Sequence, residues 1–294
     1  MSVFPDQLRG RSKAEFLLFS TVWGSALAVL LGRAWQHLFF DAPYRTLFWD
    51  QGLMGKLVKF VGFETWSDFI TSPEVDGKID TLIGIIGGFL LLTFLVVFLW
   101  NKVSKELLQW ALGLATLLLI FLAFLYSKEK FYSLGQFLEY SLQFGSIACL
   151  WLLAKKSVDI NKFVWLLKIL VALTFICHGL YAIGYYPRPG HFVEMCMHFF
   201  GLSEAGANTF LWYAGIFDFV AAILIFIPGI FSSLGLGYCF IWGGMTAMAR
   251  LLANYYGQTI GEFLFIQTPE VIFRIPHFLI PLGLLMFQLN KKRS

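Results

Sequence analysis

The chain has 294 residues, of which 58% are hydrophobic and only 14% charged, and its mean hydropathy is +0.72. That balance leaves too little polar surface for a soluble globule of this size. The net charge of +4 is small and spread along the chain, so it gives no reason to invoke nucleic acid. Apolar runs near twenty residues long, the length a helix needs to cross hydrocarbon, indicate an all-α polytopic membrane helix bundle. A transmembrane β-barrel would show short alternating segments instead.

Residues 1–13 are polar and basic, with Arg9, Arg11 and Lys13. The run from Ala14 to about Phe40 is too long for a signal-peptide core and reads as a retained first span. Seven more spans follow, at about Thr81 to Trp100, Leu107 to Tyr126, Ser133 to Ala154, Phe163 to Gly184, Thr209 to Phe231, Ser233 to Tyr255 and Val271 to Leu289. Eight spans place the N-terminus, Lys102, Lys105, Lys155, Lys156, Lys162 and the tail Lys291, Lys292 and Arg293 on one side. Cytoplasmic loops collect Lys and Arg, so both termini are expected in the cytoplasm of a cell whose inner membrane holds the protein. Lys168 sits where it can snorkel to that side.

Laid side by side, residues 1–158 and 159–294 follow one plan: a span, a long outer segment (41–80 or 185–208), then three closely linked spans. Span one ends RAWQHLFFDAPYR and span five ends FICHGLYAIGYYPRPG. An even number of spans per half makes such repeats parallel, so the fold expected is two parallel four-helix halves. The outer segments FWDQGLMGKLVKFVGF and HFVEMCMHFFGL mix large apolar residues with spaced polar ones, as interfacial or lid helices do.

This topology gathers the ionisable residues. His37, His178, His191, His198 and His277 all fall on the outer side, and Arg33, Arg250 and Arg274 lie in the outer halves of their spans. Glu139 in span four and Asp218 in span six complete a polar set within the membrane. A charge at such depth costs roughly 2.5–3.5 kcal/mol on insertion scales, so these groups face a cavity or each other. Arg33, His37 and Asp41 share a stripe, Arg274 and His277 share a face beside Pro276 and Pro281, and Asp218 and Arg250 on consecutive spans suit an ion pair. His191, Glu194 and His198 at i, i+3 and i+7 lie on one helical face and could ligate Zn, Fe or Mn, but the commoner reading is an interfacial helix with a polar face. His178 and His37 suit either a hydrogen bond at the headgroup level, a quinone carbonyl, or an axial haem position, and either imidazole could take up a proton near neutral pH. The four cysteines form no CxxC and read as buried hydrophobes. No nucleotide-binding glycine motif is present, which argues against ATP-driven transport by this chain alone.

From about Leu166 to Tyr256 the chain resembles the DoxX-like family of small four-helix membrane proteins. The resemblance rests on His178-Gly179 closing the first helix, Phe192 and FFGLSEAGA in the following loop, Ala214-Gly215-Ile216-Phe217-Asp218, and Pro228-Gly229. The family often has Glu where Asp218 stands, and Lys where this chain has Tyr181-Ala182. RAWQHLFFDAPYR in the first half is similar to horizontally transferred transmembrane proteins related to vitamin K-dependent carboxylase, over too short a stretch to carry residues across. The DoxX-like resemblance implies redox work at the cytoplasmic membrane, since relatives include the membrane subunit of a thiosulfate:quinone oxidoreductase and maturation factors for other redox enzymes.

The expectation is therefore a lidded outer-leaflet pocket serving quinone-linked electron transfer or the maturation of an exported redox protein. In it His178 and His37 act as proton acceptors or ligands and Asp218 tunes them. Arg33, Arg250 and Arg274, with His277 and Glu139, bind the substrate. Quinone is the cofactor named first, ahead of haem or a metal. A redox protein is the expected partner besides lipid. The rivals are a proton-coupled transporter of a small anion using Glu139 and Asp218, and a non-catalytic assembly partner.

Overall fold

A computed structural model describes residues 11–155, 158–255 and 257–291. Arg9, Lys156, Tyr256, Lys292 and Arg293, used above for orientation or resemblance, lie outside the described residues. Within them the chain is helical throughout, with no strand.

Helix α1 (Lys13–Phe39) is followed by three short helices, α2 (Arg45–Phe48), α3 (Gln51–Met54) and α4 (Trp66–Ile70), in the first long segment. Then come α5 (Pro73–Phe98), α6 (Lys105–Glu129), α7 (Leu134–Glu139) and α8 (Ser141–Lys155). The second half holds α9 (Ile160–Ile183), α10 (Gly190–Phe200) over the second long segment, α11 (Glu204–Leu224), α12 (Ile230–Ala253), α13 (Ile260–Ile272) and α14 (Pro276–Lys291). Local chemistry sets many of these ends. Ser12, Ser72, Ser104, Ser133, Asp159, Ser203 and Thr259 each cap a helix N-terminus through the side chain, satisfying donors that the first turn leaves free. Gly184 and Gly201 stop α9 and α10 in the left-handed conformation, at φ +87° and +63°, which glycine adopts without strain.

Six helices, α1, α5, α6, α9, α11 and α12, are each long and apolar enough to cross a membrane, and a seventh crossing is available if α13 and α14, bent by 45°, count as one. Where an eighth was expected, at Ser133 to Ala154, the helix is broken at Tyr140, leaving α8 with 15 residues. The Leu142 amide at this break donates to the Thr174 hydroxyl of α9 at 3.2 Å, so a neighbouring helix supplies what continued helix would have. Where a last span was expected from Val271, helix begins at Ile260 instead, and the bend between α13 and α14 falls just before Pro276, where the proline cannot donate to the preceding turn. Many large apolar side chains point outward, among them Ile85, Leu92, Trp110, Leu117, Ile223, Leu234 and Ile241. That is the surface a bilayer solvates.

The packing repeats itself. In the first half α1 packs on α5, α5 on α6, α6 on α8 and α8 on α1; in the second, α9 packs on α11, α11 on α12, α12 on α14 and α14 on α9. Between halves, α7 and α8 pack on α9 as α13 and α14 pack on α1. Glycines mark the matching crossings. A Cβ on Gly87 of α5 would sit 2.9 Å from the His37 Cβ, and one on Gly215 of α11 would sit 2.8 Å from the Gly179 carbonyl oxygen. Likewise Gly145 of α8 admits Leu170 of α9, and Gly283 of α14 admits Thr21 of α1. Small residues let membrane helices approach to backbone contact, where dispersion replaces the missing hydrophobic drive.

Candidate functional site

Where α1 and α9 finish, two polar centres lie side by side in corresponding places. The first is built on Arg33, one of the largest fully buried side chains, with 1% of its surface exposed. Its Nε and Nη2 donate to Gln143 Oε1 of α8 at 3.0 and 2.6 Å, and Nη1 donates to Gln36 Oε1 at 2.5 Å. The guanidinium lies 3.8 Å from the centre of the Phe273 ring. It also flanks Tyr126 and Tyr140, whose rings stack at 4.9 Å. His37 belongs to this centre. It is buried, with Nδ1 2.6 Å from the Arg33 carbonyl oxygen and Nε2 3.2 Å from the Tyr44 hydroxyl.

The second centre is built on His178 of α9. Its Nε2 is 3.3 Å from Glu139 Oε1, at the end of α7, and Gln136 Nε2 donates to the other carboxylate oxygen at 3.1 Å. The His178 ring stacks on that of His277, centres 5.4 Å apart and planes within 10°. His277 in turn has Nδ1 2.9 Å from the Arg274 carbonyl oxygen. Arg274 Nη1 reaches Glu270 Oε2 at 2.5 Å, and Arg250 Nε stands 3.7 Å from the same oxygen. One carboxylate thus serves two guanidiniums.

The second centre opens into a cavity. It measures about 560 Å³ and runs between α9, α10, α11, α12 and the start of α14. His178, His277, Arg250 and Arg274 line it at the polar end, Asp218 lines it deeper, and the remaining walls are almost wholly apolar, with Phe192, Met195 and Phe199 from α10, Leu211 from α11 and Trp242 from α12. Helix α10 is the lid expected from HFVEMCMHFFGL. Its Cys196 packs with Ala207 and Leu211 in a small cluster separate from the main core.

Several expectations change. Asp218 does not pair with Arg250: it accepts from the Tyr238 hydroxyl at 2.9 Å, while Arg250 turns to Thr246 and Glu270. The reason is register along α12. Tyr238 and Arg250 are twelve residues apart, about 18 Å at 1.5 Å per residue. The stripe Arg33, His37, Asp41 also ends early, because Asp41 lies past the helix and binds Arg45 at 2.7 Å. His191, Glu194 and His198 form no ligand set, and among the described residues no three His, Cys, Asp or Glu form a group that could hold a metal ion. His198 Nδ1 instead meets the Ala253 carbonyl oxygen at 3.0 Å, and Glu194 is exposed. Desolvation by burial, with the positive Arg250 and Arg274 close by, pushes the His191 imidazole down to about 4 although part of the residue stays exposed. His178 and His37 are in different centres, and neither His37 nor Arg33 lines the cavity.

Sequence reasoning missed Glu270, Gln143 and Gln36. Glu270 was legible, since Glu270 and Arg274 are four apart, a spacing that places both on one helical face; beginning the span at Val271 hid it.

No family model, curated protein or solved structure matches this chain.

Proposed function

We propose that this chain is an eight-crossing protein of the cytoplasmic membrane, both termini inside, that takes a quinone-class amphiphile into the cavity from the outer leaflet. In this reading α7 and α8 together make the crossing that α8 is too short to make alone. The observation that carries the proposal is the cavity itself: an apolar chamber closed at one end by His178, His277, Arg250 and Arg274. A lipid-like tail suits the walls, and an oxygen-bearing head suits the donors. Glu139 and Gln136 behind His178 orient its imidazole, so His178 can take a proton from a reduced head group and hold it against a carboxylate. The electrons pass to or from a separate redox protein, which places the chain in quinone-linked electron transfer or in the maturation of an exported redox enzyme. The DoxX-like resemblance over residues 166–256 supports the same assignment. His37 has no such part, being enclosed around Arg33.

A second reading, proton-coupled movement of a small anion through this chamber, is favoured by one observation: Arg250 and Arg274 share a single carboxylate. Organic extraction of the purified protein followed by chromatography tests the first reading. A quinone is expected at near-stoichiometric amount, and it is lost when His178→Ala and His277→Ala are combined. A quinone-free protein that also fails to bind added quinone in lipid nanodiscs ends that reading, and uptake into proteoliposomes driven by a pH gradient establishes the second.

A further inference from the structure

Two guanidiniums, Arg250 and Arg274, line the chamber at its polar end, and one carboxylate, Glu270, stands against both. Glu139 is already committed to His178. Arg33, outside the chamber, is satisfied by neutral oxygens. Arg250 is 8% exposed, yet its hydrogen bonding among the described residues is one bond from Nη1 to the Thr246 carbonyl oxygen at 3.2 Å, with the Glu270 contact at 3.7 Å beyond hydrogen-bond reach. Arg274 uses only Nη1, on Glu270. Planar guanidinium donors are thus left uncommitted at the polar end of an apolar chamber. A buried guanidinium without a full set of acceptors is costly, and an anionic oxygen group is the ligand that removes the cost. Asp218 does not supply it, being held by Tyr238 about 18 Å further along α12 at 1.5 Å per residue.

We infer that the chamber is a site for a single-chain amphiphile with an anionic oxygen head, of the phosphate or carboxylate class, whose head group bridges Arg250 and Arg274 while its tail lies along α10, α11 and α12. This rests on the reading of the cavity as an amphiphile site and adds the charge of the head. Within the redox assignment, the same pair of guanidiniums favours the deprotonated form of a reduced quinone over the neutral quinone.

The test uses the full chain in phosphatidylcholine nanodiscs with three probes, dodecyl phosphate, dodecanol and inorganic phosphate, and reads affinity from the shift in thermal unfolding. Dodecyl phosphate is expected to bind at least tenfold more tightly than dodecanol, and inorganic phosphate weakly. Arg250→Gln abolishes the preference for the charged head, and Arg250→Lys keeps part of it. Glu270→Gln tightens dodecyl phosphate several-fold, because it frees both guanidiniums; a residue that merely held the fold would not act in that direction. Equal binding of dodecanol and dodecyl phosphate, with Glu270→Gln without effect, overturns the anionic head and leaves the amphiphile reading standing. Inorganic phosphate binding as tightly as dodecyl phosphate, with the same response to the variants, overturns the amphiphile reading and leaves the charge. Binding of none of the three overturns both.

Discussion

Arg33 and Arg250 are both guanidiniums buried where the first and third helices of a half end, yet one is saturated and the other is not. Around Arg33 two glutamine oxygens, two tyrosine rings and Phe273 close in, and 1% of the residue is exposed. Around Arg250 there is one shared carboxylate and a cavity. The covering segments differ in the same sense. Over the first half, Lys128 reaches Asp50 at 2.5 Å, and Arg45 binds Asp41, Asp76 and Asp80. Over the second half, α10 rests mainly on apolar contacts, tied at its ends by the Arg188 bonds to the Ala182 carbonyl and to Asn208 and by His198 on Ala253. A polar group buried with all its partners fixes a structure; in the reading proposed above, a ligand supplies the partners that Arg250 lacks.

The largest effect that can break this contrast is on stability. Arg33→Gln strands Gln143 and Gln36 and is expected to cost about 3 kcal/mol in reversible unfolding, whereas Arg250→Gln is expected to cost under about 1 kcal/mol while removing the preference for a charged head group. Equal losses for the two would erase the distinction. Next comes the lid over the first half. Lys128→Ala, which removes the ion pair with Asp50, is expected to speed hydrogen exchange in α2 and α3 without changing α10. In the unmodified protein, α10 amides are expected to exchange faster than those of α4 and the start of α5; the reverse order would mean that the ion pairs do not set which lid opens. The smallest effect concerns pH. His191 folds with its imidazole held near 4, below its ordinary value of 6.5, so as pH falls the unfolded chain takes the proton first. The contribution of His191 to stability is therefore constant above about 6.5 and is lost as pH drops toward 4. His191→Gln is expected to make that segment of the curve shallower, and an unchanged slope would place His191 away from Arg250 and Arg274.

Much of this was readable from the chain because the membrane imposes it. Apolar length gave the helices, and the cost of buried charge put the five histidines, Arg33, Arg250, Arg274, Glu139 and Asp218 in one polar set, from which packing separates Arg33 and His37 into a centre of their own. What escaped depends on register and on remote partners. Asp218 and Arg250 looked paired because their helices are consecutive, but Tyr238 fixes which turn of α12 faces Asp218. The break at Tyr140 has no proline or glycine to announce it; its freed amide is met by Thr174 from another helix, a contact that local sequence does not encode. His37 and His178 look alike at the ends of matching spans, and only packing shows that His37 faces Gly87 in a closed interior while His178 faces the chamber.

The crossing of Gly179 and Gly215 carries one more consequence. Each glycine lies so near the other's carbonyl that neither tolerates even a methyl group, so α9 and α11 have no side-chain cushion on which to slide. They form a fixed jaw bearing His178 on one helix and Asp218 on the other. Any adjustment to a bulkier guest must come from the opposite jaw, α10 and the upper part of α12, and the girth of what this protein accepts is set there.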